Sequence, residues 1–181
     1  MTRDEALNLV QTHVSNKNLI KHMLATEAVM RRLARHFGED EEMWGLAGLI
    51  HDLDYDQTVH DFPNHGLVTE KMLEGKGVPD PVLHAIKSHP GHFPRETRMD
   101  KALYATDPLT GLIVASALMH PTKKLRHVDV DFVERRFHEK RFAAGANREQ
   151  IKTCEDLGLS LKEFIGLALE AMQSIDETLG L

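Results

Sequence analysis

The chain of 181 residues predicts an all-α fold, a single-domain helical bundle of about eight or nine helices. Three observations carry that reading. Apolar residues recur at spacings of three and four, as on a helix face turned to a core. Runs alternating with period two, the mark of a half-buried strand, are scarce. Capping residues and stops fall at the ends of the periodic stretches. The length suits one compact domain spanning 1–181. No linker, internal repeat or low-complexity tract divides it.

The elements follow in order. Thr2 caps a first helix that runs to His13. A longer second one begins near Ser15 or Asn16 and stops at Gly38, with Leu19, His22 or Met23, Thr26, Met30 and Leu33 on its inner face. Asp40 caps a third through EEMWGLAGLIHD. Residues 53–63 contain Pro63 and lack helical periodicity, which predicts a loop. Asn64 can cap a helix that starts at His65 and closes around EGKG. The next spans 79–89 with Pro90 as its stop, and GHFPRET is a second irregular segment. Residues 99–119 form a long apolar helix interrupted or kinked at Pro108, and 129–140 a shorter amphipathic one. The last two lie at about 146–157 and 161–179, the latter announced by the capping box SLKE, Ser160 with Glu163.

Charge and composition exclude some functions. A net charge of -6 leaves no basic field to hold a nucleic-acid backbone, so non-specific nucleic-acid binding is not expected. The one cysteine, Cys154, can make neither an internal disulfide nor a multi-thiolate metal site, which suits a reducing compartment. The start MTRDEALNLV carries Asp4 and Glu5 and lacks the apolar core of a signal peptide. No stretch approaches the roughly 20 apolar residues of a membrane helix. A cytoplasmic protein without membrane association is the expectation. The anomaly is twelve histidines.

One stretch concentrates that anomaly. In LAGLIHDLDYD, residues 46–56, an apolar run ends in His51, Asp52, Asp54 and Asp56. Burying an unpaired carboxylate beside Leu46, Ala47, Leu49 and Ile50 is costly, and a metal cation would compensate it. Ligand-type residues near helix ends or on inner faces are His22, His51, Asp52, His65, His89 and Asp107. Imidazoles and carboxylates suit manganese, iron, cobalt, nickel or zinc, and helical bundles assemble such sites from facing helices. Adjacent residues differ by about 100° around a helix. His51 and Asp52 can therefore converge on one ion only where the turn loosens, at a helix terminus.

This pattern resembles the H-D superfamily of metal-dependent phosphohydrolases: a histidine, a His-Asp doublet, then a distant aspartate. The match is His22, His51 with Asp52, and Asp107. His65 in NHG and His89 in KSHP match the extra histidines of the subgroup that holds two metals. The whole is similar to small stand-alone members, including bacterial hydrolases of symmetrical dinucleoside tetraphosphates. The resemblance implies that His22, His51, Asp52 and Asp107 hold a first ion, and that Asp52 bridges to a second held by His65 and His89. It implies an HD-type core over about 15–120, with C-terminal helices at 121–181 packing on it. Two ions sharing a carboxylate, about 3.5–4 Å apart, activate water and neutralise the phosphoryl group it attacks. The implied substrate is a small phosphorylated molecule, a nucleotide first. The related H-D-I-G-K pattern continues with glycine and lysine, whereas this chain has Leu53, Asp54 and Tyr55. Asp52 is then the catalytic carboxylate, and Asp54 is a candidate for general acid or base, or for orienting a ligand histidine.

Plainer readings compete for other residues. Asp52, Asp54 and Asp56 mimic the start of a calcium loop, but Gln57 and Pro63 occupy its required glycine and glutamate places. Arg148, Lys140 and His92 are the candidate substrate contacts, taken from clusters that otherwise read as solvated faces. Two rivals use the same scaffold. A di-iron oxygenase needs the same ligands, and a non-enzymatic regulatory module predicts missing ligands, of which there are none.

Overall fold

The computed structural model describes residues 1–181 and contains no strand. Thr2 caps α1, Arg3–His13, through a capping box with Glu5. Asn16 caps α2, Lys17–Phe37, which ends on Gly38 in the left-handed conformation. Asp40 caps α3, Glu41–Ile50. Next come the single turn α4, Tyr55–Thr58, then α5, Leu67–Leu73, and α6, Asp80–Ser88. The longest helix is α7, Arg98–Met119, opened by a Thr97–Asp100 capping box. It is followed by α8, Val130–His138, α9, Arg148–Lys152, α10, Leu161–Gln173, and a final turn α11, Asp176–Leu179.

Helices α2 and α7 form the centre of the bundle. α2 packs against α3, α7 and α10, while α6, α8 and α9 pack on α7. The core between them is fully buried: Met23, Met30 and Leu33 of α2, Leu49 and Ile50 of α3, Leu103, Leu109 and Leu112 of α7, and Phe164 of α10. Each such side chain contributes roughly 1.5–3 kcal/mol by leaving water. By length and hydropathy α7 is apolar enough to cross a membrane, which amends the sequence expectation. Its position explains the composition, because twelve of its residues are buried against neighbouring helices.

Several boundaries differ from expectation for local reasons. The supposed loop 53–63 contains α4 and a 3-10 turn, Phe62–Asn64, in whose first turn Pro63 needs no N–H partner. The helix expected at His65 starts at Leu67, and Asn64 turns its amide to Asp61 instead of capping it. The first-turn N–H groups of that helix are taken by Asp54, far upstream. The expected 146–157 helix is α9 continued by a 3-10 segment, Thr153–Leu157. The expected 161–179 helix breaks at Ser174 and Ile175, between α10 and α11. Helix α7 continues through Pro108 without interruption. That proline frees the carbonyl of Tyr104, one turn earlier, and Gln150 of α9 donates to it at 2.8 Å.

The approach of α3 to α2 is fixed by one glycine. A Cβ on Gly48 would lie 2.8 Å from the Thr26 oxygen and the Glu27 nitrogen, both backbone atoms of α2. Only glycine lets α3 sit this near α2, and that proximity sets His51 against His22. Gly48→Ala should lower stability by about 1–3 kcal/mol through overpacking. A urea midpoint unchanged from the parent would contradict this account of the α2–α3 contact.

Candidate metal centre

Each of the six ligand-type residues reaches the centre from a helix or a helix end. His22 projects from α2, His51 caps the C-terminus of α3, and Asp52 and Asp54 follow in the loosened turn. His65 precedes α5, His89 caps the end of α6, and Asp107 lies within α7 beside Pro108. Their donor atoms form two groups, His22, His51, Asp52 and Asp107, and Asp52, His65 and His89. Within each group the atoms lie within 4.8 Å of one another.

Asp52 belongs to both groups, with one oxygen for each. Its Oδ2 is 3.4 Å from the Nε2 atoms of both His22 and His51. Its Oδ1 is 3.2 Å from His65 Nε2 and 3.3 Å from His89 Nε2. Asp107 Oδ1 closes the first group, 3.1 Å from His22 Nε2.

The far nitrogens show what the near ones can do. A carbonyl oxygen only accepts, so His51 and His89 carry their protons on Nδ1 and donate to Gly48 and Ile86. His65 Nδ1 donates to Asp54 Oδ1 at 2.7 Å. Thr110 gives its hydroxyl proton to the Asp107 carbonyl and so accepts from His22 Nδ1 at 2.9 Å. Every Nε2 of the neutral rings is therefore a lone pair aimed inward. His22 and His51 bring two such atoms to 3.2 Å, and His65 and His89 bring two to 3.1 Å. Lone pairs held that close repel unless a positive charge lies among them.

Protons supply that charge in the metal-free protein. Burial presses the His22 imidazole downward, but the Asp107 and Asp52 carboxylates overcome it and raise its pKa to about 10. The same contest, with Asp52 and Asp54 as partners, raises His65 to about 9. His89 is lowered, chiefly by burial. Burial pushes Asp52 and Asp107 up, yet their histidine partners hold both below the usual carboxylate range. A divalent cation replacing each proton meets a mixed nitrogen and oxygen donor set with fixed tautomers, so the residues fit one or two transition-metal ions.

Asp54 is a positioning residue. Its side chain is completely buried. One oxygen holds His65, and the other accepts from Gly66 and Thr69 N–H at 2.8 and 2.9 Å. Gly66 adopts φ +81, and a Cβ there would lie 2.9 Å from the Ile86 oxygen, which ties this turn to the end of α6.

The remaining candidates fall elsewhere. The Arg148 guanidinium donates to carbonyls of Phe137, Ala143, Ala146, Arg136, Glu139 and Phe142, which leaves it engaged in shaping the 136–146 segment. Lys140 is exposed on that segment and lines neither cavity beside His22. His92 Nε2 meets the Phe62 carbonyl at 2.9 Å, one aromatic ring away from His65. A cation passed over in the sequence is Arg95, in GHFPRET, stacked 3.8 Å from the Tyr104 ring. Tyr104 lies one turn before Asp107 on the same face of α7. Gln150 was missed too, since nothing in sequence links an amide in α9 to a carbonyl of α7.

Access is from one side. The side chains of His22 and Asp107 are 22% and 29% exposed, whereas those of His51, Asp52, His65 and His89 are buried. A cavity of about 330 Å³ opens there, walled by His22, Asp107, Gly111 and the backbone turn Ala143, Gly145 and Ala146.

Comparison with known proteins agrees with this geometry. Residues 19–118 match the model of the HD domain family. The chain is similar to Ribonuclease Y of Desulfotalea psychrophila (strain LSv54 / DSM 12343), 24% identical over 168 residues, covering 90% of this chain and 32% of that protein. The chain thus spans about a third of the length of that relative. No solved structure matches.

Two measurements check the centre. Because His22 and His65 hold protons up to about 9–10, metal uptake near neutral pH must displace them, and affinity should rise with pH across that range. Calorimetric titration with manganese in buffers of unlike ionisation heat should register the released protons; identical heats in all buffers would refute it. Asp54→Asn should weaken metal binding about 10–100-fold, read by chelator competition, because the amide has one acceptor oxygen where the carboxylate uses two, for His65 Nδ1 and for the Gly66 and Thr69 N–H groups.

Proposed function

We propose that this chain, which belongs to the HD domain family, is a metal-dependent hydrolase that cleaves a phosphate ester or anhydride of a small molecule, most specifically a nucleotide. The single observation behind this reading is Asp52, which gives one oxygen to each of two histidine groups. His22, His51, Asp52 and Asp107, and Asp52 with His65 and His89, would hold divalent ions, which would supply Lewis-acid polarisation of a phosphoryl oxygen and a lowered pKa for water.

The protein's own residues do the rest. Asp54, Thr110, Gly48 and Ile86 orient the imidazoles, and their fixed geometry removes reorganisation from the reaction. The buried floor of the site keeps bulk water away from the inner ligands, and the substrate enters at His22 and Asp107. Arg95, held on the Tyr104 ring one turn before Asp107, and Lys21, which lines a second cavity with His22, are the candidate cations for a phosphate arriving at that edge.

Ribonuclease Y, by its name, acts on RNA. A net charge of -6 favours a small nucleotide over a polynucleotide here, since extended backbone binding needs a basic surface. The same reading makes this a cytoplasmic enzyme that does not bind nucleic acid non-specifically.

The test is phosphate release from a nucleotide panel with manganese, iron, cobalt, nickel or zinc. Turnover with at least one metal, falling to background in Asp52→Ala and His51→Ala, is the expected result. Hydrolysis that survives both substitutions would sink the mechanism. Oxygen-dependent turnover without phosphate release would replace it with the di-iron chemistry.

A further inference from the structure

Large apolar side chains left in water are concentrated in one place. Of the six that stay exposed, Tyr55, Val59, Phe62 and Phe93 lie on the two segments that bracket His65 and His89, 55–62 and 91–97. Phe62, at 56% exposure, and Tyr55, at 40%, could have been polar at no cost to the core. Both rings face the same histidine. The Tyr55 ring stands edge-on to His65 at 5.5 Å between centroids, and the Phe62 ring lies tilted at 34° and 6.0 Å. Phe62 is held there rather than loose. His92 meets its carbonyl through Nε2 at 2.9 Å and packs edge-on to its ring at 5.1 Å. Phe93 follows on the same segment, with Lys87 over its ring at 5.6 Å.

We propose that this aromatic rim, with Phe62 as its main ring, stacks the base of the nucleotide substrate while the phosphate lies at the metal centre. The inference rests on the phosphohydrolase reading above and adds to it the part of the substrate that is recognised. Its warrant is adjacency: the rings pack on a ligand histidine whose Nε2 lies 3.2 Å from Asp52 Oδ1, so rim and centre share one imidazole. A base offers a flat apolar face to such rings whatever its hydrogen-bonding edge, and each stack is worth about 1–3 kcal/mol. A rim of this kind tolerates different bases and discriminates against phosphate esters that lack one.

The experiment compares Phe62→Ala and Phe62→Trp with the parent enzyme on adenosine 5'-monophosphate and ribose 5-phosphate. It also measures binding of the fluorescent 1,N6-ethenoadenosine monophosphate to the metal-free protein by anisotropy. We expect Phe62→Ala to raise KM for the nucleotide about tenfold more than for the sugar phosphate, to weaken probe binding about tenfold, and Phe62→Trp to restore both. Equal effects on the two esters, or unchanged probe binding, overturn the rim. So does a change in sedimentation from dimer to monomer in Phe62→Ala with probe binding intact, which would make the patch a contact between copies of the chain. Should neither ester release phosphate with any metal, the monoester form of the phosphohydrolase reading fails, and the probe measurement alone then decides the rim: loss in Phe62→Ala supports it and no loss overturns it.

Discussion

The structure turns on one carboxylate facing two pairs of imidazoles. Asp52 sits nearly buried, with Nε2 atoms about its Oδ2 on one side and its Oδ1 on the other. A carboxylate and four inward-pointing nitrogen lone pairs are all acceptors, so none can pair with another while the partner nitrogens are committed elsewhere. Each group therefore lacks one positive charge. A proton on His22 and another on His65 fill that role in the metal-free protein, and divalent ions compete for the same positions. Charge balance and ligand geometry are thus a single constraint, and the helices are arranged to meet it.

Ordinary packing devices carry out the arrangement. Gly48 lets α3 approach α2 and also lends its carbonyl to His51, so one residue fixes both the position and the tautomer of a ligand. Asp54 caps the start of α5 and holds His65 in the same stroke. Pro108 opens a gap in the α7 hydrogen-bond ladder one residue beyond Asp107, and Gln150 fills it, which anchors the C-terminal third of the chain beside the site. Arg148 gathers the 136–146 carbonyls into the wall that faces His22 and Asp107. The C-terminal segments thus shape the mouth of the centre and supply none of its ligands.

The helical pattern and the ligand set were legible because both follow local rules. Apolar periodicity and the caps at Thr2, Asn16, Asp40, Asp129 and Ser160 mark helix starts within a residue or two. The histidines could be found because a buried His-Asp doublet demands compensation. What stayed hidden depends on contacts distant in sequence. Asp54 reads equally well as an acid or a brace until its two oxygens are seen filled. Arg148 reads as a free cation until six carbonyls converge on it. The helix expected at His65 starts two residues later, at Leu67, on the same ground, since its cap comes from a residue twelve positions upstream of Gly66.

The two ligand groups are not completed at the same point of the chain. The group of Asp52, His65 and His89 is whole once residue 89 has been made, whereas the other waits for Asp107 on α7. The four-residue group closes only when α7 docks between α2 and α6. Completion of the centre is in this sense ordered along the chain: the second group needs a side chain of α7, the helix on which α6, α8 and α9 pack.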